Sequence, residues 1–286
     1  MSLILDGSIS TEEMVVNPLI KAFIAGHSGS GKTQCSMTLP GRKLLIDIDN
    51  RAETVAGWPE TRFIPCHHPD PRSVEPWNKL VKIQAAIVND VNKGDFPFES
   101  IIYDGATMMG RYSMNWALML DSHRGLGGAP ARQHYLPQMD VMARFIIGTL
   151  SVPRNILWTG HVELFADDEG GPQIFLPKIT GKLRTEISNW FNETYLCFRI
   201  EGKEGEREYK WMTGGDGRYE FFKSSMNSLG RYWKDPIPLD FNQKVVGFED
   251  LLKRRFGNDF KSERFESGVK DEAEAEAEGP VEESQS

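Results

Sequence analysis

One stretch of the chain has the residue types and the spacing that bind phosphate. It is a complete G-x-x-x-x-G-K-[ST] motif, formed by Gly26, His27, Ser28, Gly29, Ser30, Gly31, Lys32 and Thr33. Glycines let the backbone curl so that successive amide groups point inward at phosphate oxygens. In such a loop the lysine reaches the β- and γ-phosphates, and the threonine hydroxyl ligates Mg²⁺. The motif therefore predicts a site for a nucleoside triphosphate with Mg²⁺.

The segments on either side of this loop match the structural context that the motif requires. Residues 21–25 are predicted to form a strand, and residues 34–39 a helix that ends at Pro40. The partial positive charge at the N-terminus of that helix is expected to add to the attraction for phosphate. The alternative is a glycine-rich turn that binds nothing, and the strand–loop–helix order argues against it.

Two further predicted strands end in carboxylates. Residues 42–49 end in Asp47 and Asp49, and residues 100–104 end in Asp104, which follows Lys32 by 72 residues. An apolar strand that ends in Asp is typical of the acidic group that holds Mg²⁺ in phosphate-loop proteins. We therefore predict that Thr33 and Asp104 are the metal-binding residues. Open α/β sheets place their ligands at the carboxyl ends of the strands, so Asp49 is expected at the same edge.

The remaining segments alternate between strand and helix patterns. Helices are predicted over residues 76–93, 107–120, 135–151 and 248–256, with a short helix within 178–191. Strands are predicted over residues 62–66, 155–163, 194–200 and 207–212, with a loop over 121–134 and a hairpin over 164–177. This order predicts an α/β fold with a mainly parallel sheet flanked by helices, plus antiparallel hairpins toward the C-terminus.

Composition divides the chain into four parts. Residues 1–17 are an N-terminal arm, residues 18–235 the α/β domain, residues 236–260 a linker and a terminal helix, and residues 261–286 a disordered acidic tail. The tail carries nine acidic and three basic side chains, so only about −2 of the net charge of −8 belongs to residues 1–260. A folded part this close to neutrality can bind a polyanion through a local patch.

Composition also excludes some classes of protein. No apolar run approaches the ~20 residues of a membrane span, and residues 1–6 lack the basic start of a secretory signal. Cys35, Cys66 and Cys197 are odd in number and far apart, so no disulfide framework or zinc site follows from them. We expect a cytoplasmic protein.

The order of the motifs resembles the RecA-like ATPase core rather than the kinase or GTPase branch of phosphate-loop proteins. The resemblance covers about residues 18–200 and rests on the loop at 26–33 and on residues 45–51, 159–163 and 176–184. The sequence is most similar to short, phage-encoded RecA-like ATPases known as single-strand annealing or phage nucleotide-binding proteins. That origin would place the protein in the host cytoplasm. The sequence has no Asn/Thr-Lys-x-Asp guanine motif, so ATP rather than GTP is expected.

The resemblance implies catalytic roles for particular residues. RecA-like proteins carry an acidic residue, more often Glu, that polarises the attacking water, and Asp49 takes that position in this chain. Their sensor residue, usually a Gln, contacts the γ-phosphate and leads into a DNA-binding loop, and His161 stands in its place. The implied catalytic set is therefore Lys32, Asp49, Asp104 and His161, acting on ATP with Mg²⁺.

The resemblance also implies partners. RecA-like proteins form rings or filaments in which a neighbouring subunit supplies a cation to ATP, and the candidates are Lys178, Lys182 and Arg184. A solvated basic face is the alternative for each of them. Single-stranded DNA is expected to bind at Arg124, Arg132 and the hairpin after His161, with Tyr135 or Phe165 as stacking surfaces. The acidic tail is expected to compete with DNA or recruit a protein partner, or only to solubilise the chain.

Three functions stay open from the sequence. The first is an ATP-dependent protein of single-stranded DNA annealing or recombination. The second is a DNA-motor, packaging or helicase-like ATPase subunit. The third is a slow, nucleotide-dependent regulatory oligomer, because Asp49 and His161 replace the usual Glu and Gln.

Overall fold

A computed structural model describes residues 18–123, 128–166, 173–202, 205–214, 217–225, 237–239 and 247–257. The strands are β1 (Lys21–Gly26), β2 (Lys43–Asp47), β3 (Thr61–Pro65), β4 (Ser100–Asp104), β5 (Asn155–Gly160), β6 (Val162–Phe165), β7 (Ile174–Pro177), β8 (Glu193–Glu201), β9 (Arg207–Met212), β10 (Lys223–Ser224) and β11 (Ile237–Leu239). The helices are α1 (Lys32–Ser36), α2 (Glu75–Lys93), α3 (Ala106–Met119), α4 (Arg132–Leu150), α5 (Leu183–Trp190) and α6 (Phe248–Phe256).

A mainly parallel sheet forms the centre of the fold. Its strand order is β11-β9-β8-β1-β5-β4-β2-β3, and the pairs from β8 to β3 are all parallel. Strands β1, β2, β4 and β5 are almost entirely buried because helices cover both faces, which explains their continuous apolar sequences. Strand β5 lies between β1, which leads into the phosphate loop, and β4, which ends in Asp104. The predicted α/β fold class is confirmed.

Antiparallel strands extend this sheet toward the C-terminus. Strand β9 pairs with β8, β11 with β9, and the short β10 with β8. Strands β6 and β7 form a separate hairpin. The sequence predicts the β6–β7 hairpin and the β8–β9 pair, but not β10 or β11.

Two apolar layers cover the two faces of the sheet, because side chains alternate in direction along each strand. Phe23 and Ala25 of β1 face helices α2 to α5, where Leu80, Met109 and Ile146 are buried. The intervening residues of β1 face α1 and α6; the buried side chains there include Cys35, Phe248, Leu251 and Leu252. In the described ranges, no helix has the length and apolar character to cross a membrane.

The structure corrects the sequence prediction in four places. Helix α1 ends at Ser36, and residues 37–39 form turns instead of continuing it. Arg132 is the first residue of α4 rather than part of the preceding loop. The strand predicted over 155–163 is two strands, because the chain leaves the sheet at His161. Pro238 lies in β11 rather than in a linker, and the end of a sheet tolerates proline because one side of the strand needs no partner.

Residues 1–17 and 261–286 lie outside the described residues, so the arm and the tail remain predictions. The boundary at residue 236 also remains a prediction. The structure does show that β11 extends the central sheet and that α6 packs against the same core. Helix α6 covers the residues that the sequence predicts.

Candidate active site

The loop between β1 and α1 requires its glycines. A Cβ on Gly26 would lie 2.3 Å from the carbonyl oxygen of Cys197 on the neighbouring strand β8, so no side chain fits there. Gly29 and Gly31 have φ angles of 73° and 87°, in the left-handed region that glycine adopts most easily. These conformations turn the backbone back on itself directly before Lys32.

The loop presents hydrogen-bond donors that the rest of the described chain does not use. The amides of Gly29, Gly31, Lys32 and Thr33 donate to no other protein group in the described ranges. The Lys32 ammonium donates to the carbonyl oxygens of Gly26, at 3.0 Å, and His27, at 2.8 Å, which holds it inside the curl. Burial lowers the pKa of Lys32, while Asp104 and Asp49 are among the nearby groups that act in the opposite direction. This arrangement suits an anion.

Helix α1 contributes less than the sequence suggests. It has only five residues, so few peptide dipoles align behind the loop. The attraction for phosphate therefore depends mainly on the loop amides and on Lys32.

Asp104 is the carboxylate closest to Thr33. Its Oδ2 accepts a hydrogen bond of 2.8 Å from the Thr33 hydroxyl, and its Oδ1 accepts one from the Thr159 hydroxyl of β5. Burial raises the pKa of Asp104, as do the nearby Asp49 and Asp47, whereas the two hydroxyls act against this shift. A bound cation would offset the free-energy cost of burying this negative charge.

The residues present fit a magnesium ion bound together with a nucleotide. Mg²⁺ prefers oxygen ligands and is usually held by one or two carboxylates, substrate phosphates and waters. Thr33 and Asp104 supply such oxygens. No group of three or more His, Cys, Asp or Glu suited to a metal occurs among the described residues, so a metal at this site would depend on the phosphates.

The two carboxylates that follow β2 have different tasks. Asp47 accepts hydrogen bonds from the amides of Arg51 (3.0 Å) and Ala52 (3.2 Å), so it stabilises the turn after the strand. Asp49 faces the site instead. Its Oδ1 is buried without a hydrogen-bond partner, and its Oδ2 lies 3.5 Å from Nε2 of His161.

Gly105 permits this position of Asp49. A Cβ on Gly105 would lie 2.3 Å from Oδ1 of Asp49, and the φ of Gly105 is 128°. The amide of Asp49 also donates to the carbonyl oxygen of Asp104 at 3.1 Å. The Asp-Gly pair after β4 was the only sequence signal for this requirement, and sequence reasoning missed it.

His161 reaches the site because the chain bends there. It directly follows β5, and its amide donates to the Thr107 hydroxyl of α3 at 3.1 Å. The bend ends the pairing of β5 and turns the ring toward Asp49. The position predicted for a sensor residue is therefore beside the carboxylate predicted to act on water.

These groups surround one cavity of about 210 Å³. Its lining includes Ser28, Gly29, Gly31, Lys32, Thr33, Asp49, Asp104 and His161. It also includes four residues that sequence reasoning did not identify as site residues: Gln34, Arg51, Thr54 and Tyr209. Arg51 lies within a stretch that carried the family resemblance, whereas nothing near Tyr209 in sequence indicates that β9 reaches this site.

The predicted trans-acting cations lie outside the cavity of their own chain, where residues that act on a neighbouring subunit's nucleotide are expected, and their role stays a prediction. Lys178 and Lys182 are exposed and form no ion pair within the described ranges. Arg184 pairs with Glu163 at 3.4 Å, and its guanidinium carbon lies 5.2 Å from the centre of the Phe165 ring. None of the three lines the cavity around Lys32.

A second, wider groove lies beside the first cavity. It has a volume of about 750 Å³, and its lining includes Arg72, Thr107, Arg111, Tyr135, Glu163 and Lys178. Thr107 connects the two, because its hydroxyl accepts the His161 amide. Of the residues predicted to bind DNA, Arg124 lies outside the described residues, and Arg132 is exposed at the start of α4.

A parallel sheet, a glycine loop closed by Lys32 and Thr33, and a carboxylate on a nearby strand define a phosphate-loop nucleotide-binding protein. A protein family described as an AAA domain matches residues 19–215, and the chain belongs to this family. The match supports an AAA-type, nucleotide-binding ATPase. A comparison with curated proteins gives no match.

Proposed function

We propose that this protein hydrolyses ATP with Mg²⁺ and uses hydrolysis to act on single-stranded DNA, in phage recombination or single-strand annealing. The catalytic part of the proposal rests on one observation: Oδ1 of Asp49 is buried and has no hydrogen-bond partner among the described residues. A buried carboxylate oxygen without a partner is costly, and such groups in native structures call for an explanation. A water beside the phosphates that donates a hydrogen bond to Oδ1 of Asp49 would provide this explanation.

Each residue of the site has a task in this reaction. The loop amides and Lys32 would bind the phosphates, and Thr33 and Asp104 would hold the metal. Mg²⁺ would neutralise charge that develops on the phosphate oxygens. Asp49 orients a water and accepts its proton, and His161 fixes the second oxygen of Asp49. Positioning and electrostatic stabilisation account for most of the catalysis of phosphoryl transfer.

The wide groove supports the DNA part of the proposal. Arg111 and Lys178 are exposed, and Tyr135 offers an aromatic face with 40% of its surface accessible. Cations that follow a phosphate backbone, combined with aromatic faces on which bases stack, are the usual means of binding single strands. Thr107 joins this groove to His161, so a change at the nucleotide can reach it.

The β6–β7 hairpin gives a second path from nucleotide to DNA. Phe175 of β7 contacts His27 of the phosphate loop, with 6.0 Å between the ring centres. Phe165 at the end of β6 has 39% of its surface accessible. We propose that this hairpin takes part in DNA binding, because Phe165 at one end of it is exposed and Phe175 contacts the phosphate loop.

The decisive experiment combines nucleotide binding with DNA-dependent hydrolysis. Lys32→Ala should abolish ATP binding, and unchanged affinity would overturn the nucleotide site itself. In the wild type, ATP hydrolysis should rise when single-stranded DNA is added. A rate of hydrolysis that DNA does not change would instead favour the slow regulatory oligomer. Directional movement along DNA would favour the motor subunit.

DNA binding itself should depend on the wide groove. Arg111→Ala and Lys178→Ala should each weaken binding of an oligonucleotide and reduce its salt dependence. Lys82→Ala is the matched control, because Lys82 is exposed on α2 and does not line the groove. Equal losses in all three variants would show that the groove is not the binding surface.

The remaining partners complete the proposal. We propose a homo-oligomer, a ring or a filament, located in the host cytoplasm. The acidic tail at 261–286 would compete with DNA or bind a protein partner. Removal of the tail should strengthen DNA binding under competition and leave it unchanged if the tail only solubilises the chain.

A further inference from the structure

Arg51 lies against the phosphate loop of its own chain. Its Nη1 is 3.3 Å from the Ser28 hydroxyl, and it lines the same cavity as Lys32 and Asp49. Its side chain is exposed and forms no ion pair with the described residues, so its charge is available to a ligand. Lys178, Lys182 and Arg184, which the sequence predicts to act on a neighbouring subunit, do not line this cavity of their own chain.

The turn after β2 fixes the direction of Arg51. The Asp47 carboxylate accepts the Arg51 amide, and Asn50 takes a left-handed conformation with a φ of 57°. Asn is one of the few residues that adopts this region readily. The same turn aims Asp49 at the site, so the carboxylate and the arginine two residues later are positioned together.

The strand order shows which end of the nucleotide Arg51 approaches. It reaches the loop from the side of β4 and β2, where Asp104 and Asp49 lie. Arg199 of β8 approaches Gly29 from the opposite side of β1, and its Nη1 would be 3.6 Å from a Cβ there. Asp104 would hold Mg²⁺ with Thr33 and Asp49 would orient the attacking water, so the side with these two carboxylates is the side on which the γ-phosphate would react.

We infer that Arg51 is a catalytic arginine that contacts the γ-phosphate within its own subunit, in place of a cation from a neighbour. The inference rests on the proposed ATP hydrolysis at this site. A guanidinium offers two parallel donors to phosphate oxygens and stabilises the charge that develops on them. The water oxygen forms a bond to the γ-phosphorus as the bond from that phosphorus to the ADP oxygen breaks. Asp49 takes the proton of the water, and Arg51 undergoes no covalent change.

The first test measures binding without hydrolysis. Arg51→Ala should weaken the binding of ATPγS by about 10-fold or more while leaving ADP affinity unchanged, because only ATPγS carries the third phosphate group. Isothermal titration calorimetry gives both constants. Arg51→Lys should recover part of the loss, since it restores the charge without the fork. An unchanged ratio of the two affinities in Arg51→Ala would overturn the inference.

A matched arginine controls for general effects. Arg144 is exposed on α4, forms an ion pair with the neighbouring Asp140, and lies outside the cavity. Arg144→Ala should bind both nucleotides as the wild type does. A selective loss of ATPγS affinity in this variant as well would overturn the assignment of the contact to Arg51.

The second test asks which subunit provides the arginine. Arg51→Ala should lower kcat by about 10³-fold, and mixing it with Lys32→Ala should restore nothing, because each active site needs both residues from one chain. Recovery of ATPase activity on mixing would show that Arg51 acts on a neighbour and would overturn the inference. If Lys32→Ala still binds ATP, the proposed function fails instead, whatever the result for Arg51.

Discussion

Charged and polar groups are buried at both ends of the central sheet, but the two ends differ in whether these groups have hydrogen-bond partners. At the amino ends of the strands, Asn155 accepts from the Ile20 amide and donates to Glu99 and Ser100, and the buried Glu99 carboxylate accepts from Arg42. At the carboxyl ends, the amides of Gly29, Gly31, Lys32 and Thr33 and Oδ1 of Asp49 have no protein partner in the described ranges.

This difference distinguishes structure from function within one sheet. Fully paired polar groups stabilise the fold, whereas unpaired ones are a cost that a ligand can remove. Changes at the carboxyl ends should therefore affect activity more than stability, and changes at the amino ends should do the reverse. Four predictions test this contrast.

The largest effect is expected at Asp49. Asp49→Asn should reduce the rate of ATP hydrolysis by about 10²- to 10⁴-fold, because an amide cannot accept the proton of the water. Its free energy of unfolding should be equal to or higher than that of the wild type, because a partly buried negative charge is removed. A phosphate-release assay and urea unfolding measure the two quantities.

Glu53→Gln is the control for this variant, because Glu53 is an exposed carboxylate in the same turn. It should hydrolyse ATP at the wild-type rate. If Asp49→Asn loses stability and keeps its activity, the contrast between the two ends of the sheet is wrong.

The next largest effect is expected at Gly105. Gly105→Ala would place a Cβ 2.3 Å from Asp49 Oδ1 and force a strained φ, so hydrolysis should fall and stability should drop by about 1–3 kcal/mol. Gly94→Ala imposes a similar strain at a φ of 80° at the end of α2, with nothing within 4 Å of the new Cβ. It should lose about 1 kcal/mol of stability and no activity. Equal activity in both variants would contradict the role assigned to Gly105.

At the amino ends of the strands, a substitution should affect stability more than activity. Asn155→Ala leaves the Ile20 amide without its partner, whereas the Glu99 carbonyl oxygen keeps its hydrogen bond from the backbone amide of residue 155. The free energy of unfolding should therefore fall by about 1–3 kcal/mol. ATP affinity, measured on the folded variant, should not change. Asn89→Ala, an exposed position on α2, should change neither. Loss of ATP affinity in Asn155→Ala without loss of stability would break the comparison.

The smallest effect is a pH dependence at Lys21. Burial lowers the pKa of Lys21 to about 7, although its ammonium donates to the carbonyl oxygens of Val152 and Arg154. Between pH 7 and about 10.5 the unfolded chain holds the proton that the folded chain has lost, so stability should rise with pH in this interval. Urea unfolding at pH 7 and pH 9 measures the rise.

Lys21→Met should make this rise smaller, whereas Lys82→Met, at an exposed position, should leave it as in the wild type. An equal change in stability between pH 7 and pH 9 in the wild type and in Lys21→Met would show that the pKa of Lys21 is not lowered by folding.

Much of this arrangement could be predicted from the sequence, for identifiable reasons. The phosphate loop has a fixed spacing, and the buried strands are continuous apolar runs, so β4 and β9 were located at their observed ends. Asp49, Asp104 and His161 directly follow or end such strands, and parallel strands align their carboxyl ends. Their presence in one cavity followed from these patterns; the roles assigned to them await the kinetic and binding experiments.

What could not be predicted depends on contacts between distant parts of the chain. Tyr209 reaches the cavity only because β9 pairs with β8. Gly105 matters because of the Asp49 side chain more than fifty residues earlier.

The contact between the phosphate loop and β8 bears on how the protein is made. The thiol of Cys197 donates to the carbonyl oxygen of Ser30, and the Phe248 amide donates to Thr38 just after α1. The loop is synthesised early, but the strand that supports it emerges from the ribosome about 170 residues later. Contacts of such long sequence separation form slowly. The nucleotide site should therefore be completed only near the end of translation, and a nascent chain that stops before β8 should not bind ATP.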